Sequence, residues 1–159
     1  MIKKFILLSV ATVVIAGCKK DNAAPLLDIT GNWKMTAFDQ GNVSATAAQY
    51  PCIENNMLTV NANGTASGQY TGSTSCVLSN AGSNTGVIVT LGQPGQASTP
   101  LNWVHNGNSF TFRQTTQAGT GQRFYATLNK VNNQLTLHIT DTITVGGNTM
   151  IEHETRIKQ

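Results

Sequence analysis

The stretch QLTLHITDTIT (Gln134–Thr144) sets Leu135, Leu137 and Ile139 against Thr136, His138 and Thr140. Alternation with a period of two is the mark of a strand with one buried face. Ten residues on, Ile151, His153, Thr155 and Ile157 alternate with Glu152, Glu154 and Arg156. Between the two runs Gly146-Gly147-Asn148 supplies the left-handed backbone a tight hairpin needs. The C-terminal quarter of the chain therefore reads as one long β-hairpin.

Working back from it, strand-like runs recur between Gly/Asn/Ser punctuation. They span 32–38, 57–61, 65–71, 86–91, 101–105, 109–115, 123–129, 134–144 and 149–158. Turn signals stand at Asn63-Gly64, Asn106-Gly107-Asn108 and Asn132-Asn133. No apolar helix face follows the N-terminal segment, and one short turn is expected around 46–50. Some eight or nine antiparallel strands joined by tight turns imply an all-β up-and-down barrel or a sandwich.

The N-terminus is of another kind. Lys3 and Lys4 precede an apolar run from Phe5 to Ala16, closed by Ile15-Ala16-Gly17-Cys18. A basic start, a short apolar run and small residues at its end make a secretion signal, and the run falls short of the ~20 residues of a spanning helix. The closing residues resemble the bacterial lipobox, which implies cleavage before Cys18 and acylation of its thiol. The expected organisation is a signal peptide over 1–17, a lipidated and solvated tether over 18–28, and one barrel domain over 29–159. The expected place is the outer membrane of a bacterial envelope, the domain facing the periplasm or the cell surface, with palmitate-type chains at Cys18 as its link to the membrane.

Without Lys3 and Lys4 the chain keeps eight of its ten basic side chains against seven acidic ones, so the formal +3 falls to about +1. No basic stripe remains, and nucleic acid is not an expected partner. Of the three cysteines, Cys18 takes lipid, which leaves Cys52 and Cys76. A hairpin turning at Asn63-Gly64 pairs residues whose numbers sum to about 126 to 128, as 52 and 76 do. A disulfide between them is expected in an oxidising compartment.

Several motifs then fall in a familiar order. Gly31-Asn32-Trp33-Lys34 opens the first strand, followed by Cys52, Asn55-Asn56, Leu58-Thr59-Val60, Asn63-Gly64-Thr65 and Cys76. Trp103 precedes Asn108-Ser109-Phe110-Thr111-Phe112, and Leu128 precedes Asn133-Gln134-Leu135-Thr136-Leu137. This order resembles the lipocalin-like, calycin-type domains of Bacteroidetes lipoproteins. The resemblance implies a barrel of about eight strands, with Trp33 plugging its closed end, and no particular activity. An arginine, Arg156 or Arg123, is expected over the Trp33 indole. Ile29-Thr30-Gly31-Asn32-Trp33 also resembles avidin-type biotin binders, but only two tryptophans are present and 34–41 lacks their polar spacing, so biotin is not expected.

No nucleophile elbow, phosphate loop or dinucleotide fingerprint occurs, and Asp39, Glu54, Asp141, Glu152 and Glu154 are dispersed. No enzymatic activity and no cofactor is therefore expected. His105, His138 and His153 lie on three strands with no metal spacing, and His153 faces away from Glu152 and Glu154, so no metal is expected. The small residues Ala37, Ala66, Gly68 and Ala126 are expected to point inward and leave room on the side of Ala66 and Gly68. With no inward cluster of charge foreseen, the expected ligand is small and mainly apolar, held by Ala66, Gly68, Tyr70 and Trp103. The rival expectation is a core filled by Trp33, Tyr70, Trp103, Phe110, Phe112, Phe124 and Leu137, in a module that binds other proteins.

The lipobox reading predicts that Cys18→Ser moves the protein from the membrane fraction to the soluble envelope fraction. Unchanged partitioning would show that something other than acylation holds it.

Overall fold

The computed structural model describes residues 26–41, 43–79, 88–115, 121–145 and 147–159, with only the backbone at Val145. The signal peptide, Cys18, most of the tether and the expected strand start at Gly86 and Val87 lie outside the described residues.

Among the described residues eleven strands form: β1 (Gly31–Gln40), β2 (Val43–Thr46), β3 (Asn56–Val60), β4 (Thr65–Tyr70), β5 (Cys76–Ser79), β6 (Ile88–Gly92), β7 (Thr99–Asn106), β8 (Ser109–Gln114), β9 (Arg123–Val131), β10 (Gln134–Val145) and β11 (Asn148–Lys158). The one helical element among the described residues is a 3-10 turn over Pro51–Asn55. It follows a hydrogen-bonded turn in which the Tyr50 amide donates to the Thr46 carbonyl at 2.8 Å. Strands β1, β3, β4, β7, β8, β9, β10 and β11 pair antiparallel in that order, and β11 pairs back onto β1. The result is a closed eight-strand up-and-down barrel, so no edge strand is left in that ring. β2 continues the sheet beside the second half of β1, and β5 and β6 form a separate hairpin between β4 and β7.

The turns follow their residues. Asn132 and Asn133 carry φ of 48° and 64°, the left-handed pair of a two-residue hairpin that asparagine tolerates. Expected and observed strands agree closely on β3, β4 and β7 to β11. The four-residue strands β2 and β5 were too short to show alternation.

Two apolar clusters fill the molecule. The first lies inside the barrel toward the end where β1 begins and includes Ile29, Trp33, Leu58, Val60, Phe112 and Leu137. Trp33 is fully buried there, and its indole N–H donates to the Ile29 carbonyl at 2.8 Å. The second caps the opposite end. Met35, Phe38, Val43, Ala45, Ile53, Tyr70, Cys76 and Leu78 bury one another beneath β2, the 3-10 turn and the β5–β6 hairpin.

The expected arginine over Trp33 is a lysine instead. Trp33 pairs directly with Lys158, whose Nζ stands 6.0 Å from the ring centroid and also reaches Asp28 Oδ2 at 3.3 Å. Arg156 sits two residues further along, opposite Met35, and Arg123 lies on the outer face at the other end. Hydrogen bonds from the Thr30 hydroxyl and amide, then Lys158, hold the Asp28 carboxyl below the usual range.

The disulfide joins Cys52 in the 3-10 turn to Cys76 at the start of β5, with Cα atoms 5.4 Å apart. It lies at the open end of the β3–β4 hairpin, whose register runs from Asn56 opposite Tyr70 to Val60 opposite Ala66. The bridge therefore pins the cap. Cys52→Ala with Cys76→Ala should lower unfolding stability by about 3 kcal/mol, the loop-closure value for a link of this span. Urea titration reads this directly, and stability equal to wild type would show that the cap holds without its bridge.

Candidate functional site

Barrel closure decides which side chains face inward. Residues directly opposite each other in an antiparallel pair share a face. Leu137 and Ile139 of β10 are buried, and they stand opposite Arg156 and Glu154 of β11, while Asp141 stands opposite Glu152. Glu152, Glu154 and Arg156 consequently point into the barrel, and Ile151 is left 54% exposed on the outside. Strand β1 agrees. A bulge between Met35 and Ala37 shifts its phase, so that Phe38 and Gln40 are buried opposite Glu154 and Glu152. Ala37, expected inside, is thereby paired with outward-facing Thr155.

These groups line a cavity of about 180 Å3 between the two apolar clusters. Leu58, Leu101, Phe124 and Ile139 make its apolar wall, and Asp141, Glu152, Glu154 and Arg156 its polar one. An adjoining cavity of about 140 Å3 shares Gly68, Thr99 and Arg156 and is bordered by Asn56, Tyr70 and Leu91. Each is smaller than the roughly 300 Å3 at which drug-sized pockets begin.

Arg156 is the fixed point of the polar wall. Its Nε donates to Glu154 Oε2 at 2.7 Å, one terminal nitrogen stands 2.7 Å from the same oxygen as an ion pair, and the other terminal nitrogen donates to the Asn56 carbonyl at 2.9 Å. Arg156 is 8% exposed, and this pairing is what makes a buried charge tolerable. Among the described residues Glu152 has no ion-pair partner. Burial first, then the neighbouring charges of Glu154 and Asp141, push its carboxyl up to about 7, against a smaller opposing effect of Arg156. Burial also raises Asp141, offset in part by hydrogen bonds from the Thr142 amide and Gln122. Among the described residues the Asn56 side-chain nitrogen is buried without a hydrogen-bond partner.

The four residues expected to hold a ligand are not brought together. Gly68 lines both cavities, and a Cβ built on it would meet nothing within 4 Å. Tyr70 borders the adjoining cavity, but its hydroxyl donates to the Thr74 carbonyl at 2.5 Å and its ring lies where a Cβ on Gly92 would fall at 2.3 Å, so it serves the cap. Ala66 is buried in the first cluster beside Leu101. Trp103 sits toward the closed end, its indole N–H shared between the carbonyls of Asn61 and Thr65 at 3.0 and 3.2 Å. The inward charge of β11 was missed because alternation gives the period of a strand but not which half faces in. A signal was present: counting outward from the tight connection between Val145 and Asn148 puts Leu137 opposite Arg156.

Glu152 links stability to pH. Its carboxyl binds a proton more tightly in the folded chain than in the unfolded one, so stability is full below about 4.5 and is lost as pH rises through about 7. The loss is at most about 3 kcal/mol, less what partial exposure screens away. Urea unfolding at pH 5 and pH 8 should show wild type weakening and Glu152→Gln nearly flat. Equal slopes for the two proteins would remove Glu152 as the cause.

Comparison with protein-family models, with curated proteins and with solved structures returns no match, so the geometry of this cavity carries the functional reading.

Proposed function

We propose that the chain is an envelope lipoprotein whose barrel binds a small amine in the cavity beside Glu152. What supports the reading is a single observation: a half-buried carboxyl that has no ion-pair partner among the described residues, on the wall of a cavity whose other wall is apolar. Three carboxyl groups face one guanidinium there, and that guanidinium is already committed to Glu154 and Asn56. A ligand ammonium supplies the missing positive charge, while its carbon body lies on Leu58, Leu101, Phe124 and Ile139. The cavity limits that body to a few carbon atoms or one ring. This changes the expected ligand from mainly apolar to cationic at one end.

The first described residues and the cavity lie toward opposite ends of the barrel. The Leu27 amide donates to Asn108 Oδ1 at 3.1 Å in the β7–β8 turn, so the first described residues sit at the closed end.

Phenethylamine, 2-phenylethanol and phenylacetate differ mainly in the charge of one end. Calorimetric titration at pH 7.5 should give binding of the amine at least tenfold tighter than that of the other two. The bound ammonium favours the ionised form of Glu152, so binding at pH 7 should release a fraction of a proton, read from the dependence of heat on buffer. Gly68→Val grows a side chain into the cavity at a strand position that welcomes it, and should abolish binding with little change in stability. Tighter binding of the alcohol would restore the apolar-ligand reading. No binding by any of the three would favour the protein-interaction module.

A further inference from the structure

Arg113 and Arg123 stand directly opposite each other on β8 and β9, both exposed on the outer face of the barrel. Like charges directly opposed across a strand pair repel. Among the described residues neither arginine has an ion-pair partner; the pairs present are Lys34–Glu54, Arg156–Glu154 and Lys158–Asp28. The carboxyls on neighbouring strands offer no relief, since Asp141 and Glu152 line the interior cavity on the other side of the wall. Two arginines without an ion-pair partner among the described residues thus line the same groove.

Around them lies an outer-face groove of about 400 Å3 lined by Asn102, Val104, Thr111, Arg113 and Arg123, together with Trp103. Asn102 stands opposite Arg113 on β7, and Thr111 lies two residues from Arg113 on the same face. The groove therefore combines two guanidinium forks with an amide and a hydroxyl, all able to donate to oxygen. Val104, 68% exposed, offers an apolar floor beside these donors.

We infer that this groove binds the phosphate group of a phosphate monoester, with the attached organic body lying over Val104. A doubly charged tetrahedral oxyanion balances both guanidinium charges at once and accepts from both forks, which a single carboxylate does not. Two arginines bounded by uncharged Asn102 and Thr111 make a point site rather than a track for a polyanion. The site lies on the outer face, separate from the amine cavity behind Phe124, and stands or falls independently of it.

The test uses the whole protein at constant ionic strength, with thermal unfolding and amide chemical shifts as readouts. Inorganic phosphate, glucose 6-phosphate, glucose and chloride are titrated in turn. The expected result is a saturable rise in Tm with glucose 6-phosphate, a weaker one with inorganic phosphate, and none with glucose or chloride. The shifts should be centred on Asn102, Thr111, Arg113 and Arg123. Arg113→Gln and Arg123→Gln should each weaken the ester at least tenfold, and without ligand should unfold at or above the wild-type temperature because the repulsion is gone. Arg113→Glu, which creates an ion pair with Arg123, should abolish the response and stabilise the fold. Absence of a saturable response, a response matched by chloride, or one retained in the double Gln variant overturns the site. A response to inorganic phosphate alone overturns the ester assignment.

Discussion

Pairing of β1 with β11 is the constraint on which the rest of the molecule depends. It turns a meander into a barrel and aligns Trp33 with Lys158, Met35 with Arg156, Phe38 with Glu154 and Gln40 with Glu152. The bulge after Met35 keeps those partners in phase. Without it the second half of β1 would place Ala37 and Asp39 on the inner face, and the cap formed with β2 would lose Phe38. One extra residue thus sets both the apolar cap and the polar wall beneath it.

The interior that results is layered. An apolar plug around Trp33 fills the closed end, a polar wall on β10 and β11 follows, and a second apolar cluster pinned by Cys52–Cys76 covers the other end. Burying Arg156 and half-burying Asp141, Glu152 and Glu154 carries a cost in stability. The Arg156–Glu154 pair and its bond to the Asn56 carbonyl offset part of it. Glu152 is left with its carboxyl pushed up to about 7 by burial and by the neighbouring charges of Glu154 and Asp141.

How much of this could be read from sequence depends on the physics of each signal. Period-two alternation in Gln134–Thr144 and the Asn/Gly turns specify strands and hairpins locally, which is why β7 to β11 were legible. The disulfide was legible because hairpin pairing is arithmetic. The expected apolar interior failed on β11, where Ile151 and Ile157 suggested the inward half and register chose Glu152, Glu154 and Arg156. Among the expected ligand residues Gly68 lies at the cavity, because a glycine inside a strand marks open space there. Ala66 and Trp103 serve packing and the closed end instead. The opposed pair Arg113 and Arg123 became visible only once β8 and β9 were in register.

The inward register of β11 is tested most directly by the ionisation of one side chain. Carbon-detected titration of the Glu152 carboxyl, assigned through Glu152→Gln, should give a midpoint near 7 in the free protein. A midpoint near 4.5, the value of a solvated glutamate, would place Glu152 on the outer face and contradict the register, the cavity chemistry and the amine reading together.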